Sequence, residues 1–404
     1  MSMTATAAAA KRALAADLLS TPAPGGEAAW AGKARAAAAA RLGAMGAPGR
    51  RDEYWKYTDP TPLTKGAAAH GAVGFESVAA ARLGEGPAPD GVEVLPLAQA
   101  LAADLGFARE IFGALEAAGQ EKVARPLAAL NTARATHGFA VRVTAAPAAP
   151  LHLVNDAAMA HSVIRVERDA ALVLIESGAA ANTCLEVDLA PGAALHHVRL
   201  QEGATAPVAT HVFARLADRA QLRSFTLTAD GALTRNEVVA ELLGDHALAH
   251  LGGAVLAKGA STIDNTVFIT HTGLHGESRQ VFKNVVDDTA RAVFQGKIFV
   301  RAQAQKTDGY QLSQAILLAE GATFSAKPEL EIYADDVACS HGSTTGAMDE
   351  EALFYLRARG VPHAEAEALL VAAFVDEAVA EIAEETLAEA VRARVAAWMA
   401  RRQE

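Results

Sequence analysis

The sequence predicts a mainly β chain whose long central β region lies between helical regions at both ends. Short apolar runs separated by turn residues recur roughly every 10 to 14 residues after Gly138. Ala-rich segments with charged residues at helical spacing precede this region, and an amphipathic pattern follows it. With 404 residues and a globular composition, of which 51% is hydrophobic, the chain divides into predicted regions 1–135, 136–345 and 346–404.

The N-terminal region is predicted to be helical. Residues 7–19 and 27–42 are Ala-rich with apolar residues at helical spacing, and Pro22 and Gly25 lie in the segment that separates them. Helical patterning returns over residues 97–130.

The central region is predicted to be all β. The predicted strands are 140–143, 161–167, 171–176, 183–189, 194–200, 211–216, 222–227, 267–270, 279–286, 292–300, 311–318 and 329–333. A sandwich or barrel and a β-solenoid of stacked rungs both fit such a run. No strict hexapeptide repeat is visible, so periodicity does not choose between them.

The C-terminal region is predicted to be helical again. Asp349 is a predicted N-cap because Glu350 and Glu351 follow it in the first turn. Apolar residues recur at helical spacing over 364–399 and leave an acidic outer face. An amphipathic tail of this kind needs a surface to pack against.

The charge balance and the cysteine content exclude several classes of protein. A net charge of -11 argues against nucleic-acid binding, and no apolar run approaches the roughly 20 residues that span a bilayer. The N-terminus reverses the order of a secretory signal, so we expect a cytoplasmic protein without a membrane segment. The cysteines, Cys184 and Cys339, are too far apart in sequence to indicate a disulfide framework or a zinc site.

Enzyme signatures are missing from the sequence. Gly296 and Lys297 are followed by Ile298, which offers no hydroxyl for the magnesium of a phosphate loop. Thr344 stands where a nucleophile elbow has serine, and no H-E-x-x-H occurs. These absences favour a non-catalytic protein that does not hydrolyse ATP itself.

The concentrated polar motif is Asp335-Asp-Val-Ala-Cys-Ser-His-Gly342, where the last β run meets the C-terminal helices. In an extended strand Cys339 and His341 face the same way, and thiolate and imidazole are both iron ligands. The alternative is a small buried cysteine and a hydrogen-bonded core histidine. A cluster usually needs four ligands, so a second subunit would have to supply the others.

An acidic site of a polysaccharide-acting β-helix enzyme is an alternative for Asp287, Asp288 and Arg291. An Asp-Asp pair between two strands is more typical of a turn. Such an enzyme would also be secreted and carry a basic groove, and the sequence indicates neither.

Three aromatic residues and a cysteine are predicted to be structural. Tyr54, Trp55 and Tyr57 could stack on a ligand, but packing against the N-terminal helices is the favoured interpretation. Cys184 lies in an apolar run and is predicted to be buried and inert.

Several motifs together resemble the SufB/SufD family of iron-sulfur cluster assembly scaffolds. They are Glu53-Tyr-Trp-Lys-Tyr-Thr-Asp59, Phe282-Lys-Asn-Val-Val-Asp-Asp288, Arg291-Ala-Val-Phe-Gln-Gly-Lys-Ile298, Ala304-Gln-Lys-Thr-Asp-Gly-Tyr-Gln311, Lys327-Pro-Glu-Leu-Glu-Ile332 and Leu353-Phe-Tyr-Leu-Arg-Ala-Arg-Gly360. Within the family, the Cys-Ser-His-Gly motif at 339–342 is similar to the SufD branch, whereas SufB carries a His-Glu-Ala version and is longer.

The resemblance implies a right-handed parallel β-helix between helical terminal regions. It implies pairing with SufB, and docking of the SufC ATPase on the C-terminal helical region. The implied partner-binding residues are Phe354, Tyr355, Arg359 and Gly360. The alternative is that Phe354 and Tyr355 are buried anchors of their helix.

The same resemblance implies that Cys339 and His341 lie near the SufB contact. Iron or a transient iron-sulfur cluster would rest at that contact, and no cofactor would stay bound to the chain alone. A homodimer of the isolated chain, or a homo-oligomeric SufB-like scaffold, stays open as an alternative.

Overall fold

Two parallel β-sheets face each other along most of the molecule and form a solenoid. The computed structural model describes residues 3–70, 82–83, 90–178 and 180–402. The predicted mainly β fold with helices at both ends is confirmed. Within these described ranges, no helix is long and apolar enough to cross a membrane.

Two long helices, several short ones and a 3-10 turn precede the solenoid in the described part of the chain. The helices are α1 (Met3–Leu18), α2 (Ala29–Met45), α3 (Thr61–His70), α4 (Leu97–Ala102), α5 (Gly106–Ile111), α6 (Ala114–Ala118) and α7 (Pro126–Arg134), and the 3-10 turn is Glu53–Trp55. The region before residue 135 is not wholly helical, because two described strands, at 82–83 and 92–96, join the sheets of the solenoid, each antiparallel to its neighbour.

The strands run almost without interruption to residue 346. They are β1 (Arg82–Leu83), β2 (Val92–Pro96), β3 (Phe139–Val143), β4 (Leu151–Val154), β5 (Met159–Val166), β6 (Ala171–Ser177), β7 (Asn182–Leu189), β8 (Ala194–Glu202), β9 (Val208–Leu216), β10 (Gln221–Ala229), β11 (Leu233–Leu242), β12 (Leu248–Ala257), β13 (Thr262–His271), β14 (Glu277–Val286), β15 (Arg291–Val300), β16 (Asp308–Leu317), β17 (Thr323–Ile332) and β18 (Ala338–Gly346).

The pairing of these strands distinguishes a solenoid from a sandwich. In the described part of the chain, sheet A has the order β1-β4-β6-β8-β10-β12-β14-β16-β18 and sheet B the order β17-β15-β13-β11-β9-β7-β5-β3-β2. From β3 onward every pair is parallel between strands two apart, as in β12 with β14. Each rung therefore contributes one strand to each sheet, and the parallel β-helix prediction is confirmed.

Alternate residues of the two sheets fill the interior. Leu195 and Leu222 of sheet A, with Val187 and Leu216 of sheet B, belong to the main apolar cluster and are almost fully buried. Polar side chains also stack inside. Asn236 bonds to Asn265 at 3.0 Å, and such ladders satisfy buried amides along the axis.

The segment after α2 anchors the N-terminal region on the outer face of sheet B. Buried Arg235 pairs with Glu237 at 2.8 Å and with Asp264 at 2.5 Å, and its guanidinium lies 4.0 Å from the Trp55 ring centre. Loss of one partner would leave a buried charge uncompensated, at a cost of roughly 3–5 kcal/mol.

The same segment also reaches the last strand of sheet B. Tyr54 is half-buried, and its hydroxyl donates to Glu329 on β17 at 2.7 Å. Trp55 is buried and Tyr57 is partly buried. Tyr54 and Trp55 therefore make packing contacts, as predicted for the aromatic residues of this segment.

The C-terminal helices are α8 (Glu350–Arg357), α9 (His363–Val379) and α10 (Glu385–Arg402). Of these three described helices, α9 and α10 pack on the outer face of sheet A. Val375 and Val379 of α9 and Trp398 of α10 share a buried cluster with Phe225 and Val281 of the sheet. The predicted amphipathic tail therefore has a partner surface within its own chain.

Candidate functional site

The solenoid ends in two strands that each have a single neighbour in the described structure. β17 pairs only with β15, and β18 only with β16. No residue of either strand is fully buried, in contrast to the strands of the preceding rungs. Ile332 and Tyr333 at the end of β17 are 38% and 59% exposed. The end of the solenoid is therefore an open, partly apolar surface.

Cys339 lies on β18 at this open end and is half-buried. It packs against the small apolar cluster of Ile298 and its neighbours, and its register partner is Gly309. Burial raises the pKa of the Cys339 thiol, a backbone hydrogen bond from Gly309 opposes this, and Asp308 adds to it. The thiol is therefore protonated in the isolated chain, and binding a metal would have to displace its proton.

His341 lies two residues further along β18 and is exposed. Its register partner on β16 is Gln311, which is fully buried. Strand alternation gives His341 and Cys339 the same face, as the sequence predicts. The sequence did not predict that one would be half-buried and the other exposed.

The residues that the structure describes contain no group of three or more His, Cys, Asp or Glu side chains placed to hold a metal ion. Cys339 and His341 offer one sulfur and one nitrogen donor, fewer than the four that an iron-sulfur cluster usually takes. Their role as ligands remains a prediction.

The two terminal strands differ in how they are protected against pairing. β17 carries Pro328, Lys327, Glu329 and Glu331, residue types that discourage another strand from adding to an edge. The 9 residues of β18 include no proline and no charged side chain. β18 is therefore the unprotected edge, a feature that sequence reasoning missed although the absence of charge over 338–346 was visible.

A second exposed surface lies on α8. Phe354 and Tyr355 are 74% and 57% exposed, and α8 has no buried residue. The Arg359 guanidinium lies 3.3 Å from the Tyr355 ring centre, and Gly360 follows with a φ of 89° that favours glycine. The alternative that Phe354 and Tyr355 are buried anchors of the helix is wrong. A role of this surface in partner binding stays a prediction.

The structure places the other candidate residues in structural positions. Asp287 pairs with Arg402 of α10, and Asp288 occupies a turn with a φ of 52°, which agrees with the turn interpretation. Arg291 begins β15 and is exposed. Cys184 is buried, and burial raises the pKa of its thiol, as expected for an inert core cysteine.

Comparison with known proteins identifies the family. Residues 151–374, more than half of the chain, match the model described as "SUF system FeS cluster assembly, SufBD core domain". The matched segment includes the open end, α8 and most of α9.

Three relatives of known name are similar to this chain over part of its length. The iron-sulfur cluster assembly protein SufD of Escherichia coli is 34% identical over 213 residues, 52% of this chain and 50% of that protein. Protein ABCI7, chloroplastic, of Arabidopsis thaliana is 33% identical over 204 residues, 49% of this chain and 42% of that protein. The Bacillus subtilis iron-sulfur cluster assembly protein SufD is 32% identical over 149 residues, 37% of this chain and 34% of that protein.

These alignments span about half or less of the relatives' own length. The family model covers the solenoid from β4 to its open end. From this match we conclude that the chain belongs to the SufBD core family of iron-sulfur cluster assembly proteins.

Proposed function

We propose that this chain is a SufD-type scaffold subunit of an iron-sulfur cluster assembly complex. Its open solenoid end pairs with a SufB-type subunit, and its C-terminal helical region docks a SufC-type ATPase. A nascent cluster or iron is cargo at the subunit contact, with Cys339 and His341 as donors from this chain.

The observation that carries the proposal is the unprotected β18 edge at the open end. Its free N–H and C=O groups suit the addition of another strand, and an exposed edge of this kind is otherwise an aggregation risk. Ile332 and Tyr333 add apolar surface beside the edge. Cys339 and His341 would supply two ligands at this edge. The partner subunit would supply the others, because a cluster usually takes four ligands.

The exposed aromatic surface of α8 supports a second contact. Large aromatic residues and arginine are the residue types most often found as anchors in protein interfaces. Phe354 and Tyr355 supply the aromatic residues on α8, which buries none of its own residues, and Arg359 lies in the turn that follows. Because the chain lacks a phosphate loop, a separate subunit would supply ATP hydrolysis.

Co-purification tests the pairing. The tagged full chain is expressed with SufB-type and SufC-type proteins of its host under anaerobic conditions, and we expect both to be retained. Ser343→Lys adds a charge at the exposed β18 edge, and we expect retention of the SufB-type protein to fall at least 10-fold. We also expect no ATP hydrolysis by the chain alone.

A matched control makes the same change far from the edge. Ser20→Lys alters an exposed turn after α1 and should leave retention of both proteins at the wild-type level. Retention unchanged in Ser343→Lys would refute the assignment of the β18 edge. A tagged chain that recovers only untagged copies of itself would favour the homodimer.

A further inference from the structure

A buried lysine lies between sheet A and the C-terminal helices. Lys283 of β14 is 1% exposed. Its ammonium donates to the carboxylate of Glu377 on α9 and lies 4.6 Å from the centre of the Phe374 ring on the same helix. Lysine is almost never fully buried unless it is paired, so the partners of Lys283 determine whether its charge can stay in this position.

Strand alternation places the Lys283 side chain on the outer face of sheet A. Val281 and Val285, two residues away on either side, belong to the apolar cluster that the sheet forms with α9 and α10. Phe282 belongs instead to the cluster inside the solenoid. The ammonium is therefore enclosed between the sheet and α9.

The same ammonium begins a hydrogen-bond ladder that crosses the last three strands of sheet A. Lys283, Gln314 and Thr344 are register partners on β14, β16 and β18. Lys283 Nζ donates to Gln314 Oε1, and Gln314 Nε2 donates to Thr344 Oγ1 at 3.1 Å. The ladder therefore joins α9 to the unprotected β18 edge through side chains.

The charge of Lys283 fixes the direction of this ladder. An ammonium group only donates, so the Gln314 amide turns its oxygen toward Lys283 and its NH2 group toward Thr344. Hydrogen bonds with an ionised partner are roughly twice as strong as neutral ones. The bond from Lys283 therefore orients the amide that makes the weaker bond to Thr344.

Glu377 balances the buried charge. Among the described residues, no other carboxylate forms an ion pair with Lys283. The Glu377 side chain is 64% exposed, so water can solvate it when it is unpaired, whereas the Lys283 side chain is 1% exposed. A contact that draws Glu377 away therefore leaves a buried ammonium without a counter-charge, and Lys283 has to move toward water or release a proton. Either response weakens its bond to Gln314.

We propose that Lys283 is a positioning residue that couples the C-terminal helices to the β18 edge. When α9 holds Glu377 against Lys283, the ladder stabilises β18, a strand with a single neighbour. The proposed docking helix α8 is joined to α9 by the short segment 358–362, so a protein that binds α8 and shifts α9 changes how firmly β18 is held for pairing. The inference rests on the proposed function for the partners at the two ends, but the coupling within the chain does not depend on them.

Hydrogen exchange of the isolated full chain tests the coupling. Lys283→Met keeps an apolar side chain beside Phe374 and leaves Glu377 in water, so Tm should stay the same or rise. Exchange of the amides of 338–346 should nevertheless become about 5-fold faster, which is equivalent to the loss of one ordinary hydrogen bond. A lysine with only a structural role would not change exchange at β18 while Tm is maintained. Exchange in 338–346 at the wild-type rate in this variant would overturn the proposal.

A second set of variants tests the link to α9. Glu377→Gln should also speed exchange in 338–346, and it should add nothing further in a chain that already carries Lys283→Met. Glu381→Gln is the matched control on the same helix, because Glu381 accepts from Arg279 of β14 at 2.9 Å but lies outside the ladder. This control should leave exchange in 338–346 at the wild-type rate. Equal acceleration by the two glutamine variants, or additive effects of Glu377→Gln and Lys283→Met, would refute the coupling.

Addition of a SufC-type ATPase separates this inference from the proposed function. When the ATPase binds the helices, it should slow exchange in 338–346 in the wild-type chain and slow it less in Lys283→Met. An equal effect in both chains would refute coupling through Lys283. If the ATPase does not bind the wild-type chain, the proposed docking fails, and exchange in the isolated chain and its variants decides the coupling.

Discussion

Cys339 and His341 lie two residues apart on β18, yet their surroundings differ. Cys339 packs against the apolar cluster that contains Ile298, whereas His341 is exposed and is the register partner of Gln311. The interpretation of both as core residues therefore fails for His341 and holds in part for Cys339. A thiol that is half-buried beside an exposed imidazole suits a contact that another subunit completes.

Substitution of these two residues separates a functional from a structural role. His341→Ala should leave Tm unchanged within about 1 °C, and Cys339→Ala should cost on the order of 1 kcal/mol because the side chain is half-buried. If the proposed role is correct, both variants impair cluster-dependent growth while the protein level stays normal. Growth at the wild-type rate in both variants would contradict the role.

A buried carboxyl group in the N-terminal region makes stability depend on pH. Glu116 on α6 is 0% exposed and pairs with Arg41. Burial raises the pKa of Glu116 to about 7, which outweighs the attraction of Arg41, and Glu186 adds to the rise. A carboxyl whose pKa is raised by folding stabilises the protein below its unfolded pKa, and this contribution is lost as pH rises through about 7.

Glu116→Gln should remove this dependence. Between about pH 5 and pH 8 the free energy of unfolding of the wild-type protein should fall by about 3 kcal/mol relative to that of the variant. Denaturant unfolding of both proteins at the two pH values measures the difference. A difference that does not change with pH would show that Glu116 keeps an ordinary pKa.

At the residue scale the sequence predicted which side chains share a face but not how deeply they lie. Strand alternation is a local property, so it placed Cys339 and His341 together. The burial of these residues depends on whether another strand pairs with β18, and the local sequence does not determine that. The buried Asp264, covered by the distant Thr58, was missed for the same reason.

At the scale of elements, α8 is the helix with the weakest attachment among those described after the solenoid. None of its residues is buried, whereas α9 and α10 each bury several against sheet A. Removing everything after Asp349 would therefore uncover the apolar face of sheet A as well as any docking surface. Single substitutions on α8 are the sharper test.

Phe354→Ser together with Tyr355→Ser should weaken retention of a SufC-type ATPase at least 10-fold. Both side chains are mostly exposed, so Tm should change by less than about 1 °C. Leu369→Ser on α9, which is 50% exposed, is the control and should retain the ATPase fully. Normal retention by the double variant would refute docking at α8.

The strands were predicted unevenly, for identifiable reasons. β14 and β15 carry apolar runs that signal a strand, and both were predicted. β11 and β12 were missed, because β11 has buried Arg235 and Glu237 on its outer face and β12 has Gly252 and Gly253. Charged residues and glycine are weak signals for a strand. In β11 and β12 these residues suit a strand only because other parts of the chain pack on them.

At the scale of the whole molecule, the described chain contains a surface for assembly but no complete ligand set of its own. We expect the isolated protein to be colourless and to hold no stable cluster, because one thiol and one imidazole cannot complete four positions. Absorbance spectra with iron and sulfide assays after anaerobic purification measure this. A brown monomer with stoichiometric sulfide would contradict the expectation.

The hydrogen bond from the Tyr54 hydroxyl to Glu329 constrains the order in which the chain folds during synthesis. Strand partners within the solenoid are about 30 residues apart, as Leu248 is from Glu277, so each rung closes soon after it leaves the ribosome. The Tyr54 segment must wait about 275 residues for β17. This contact of an early segment is therefore among the last to form.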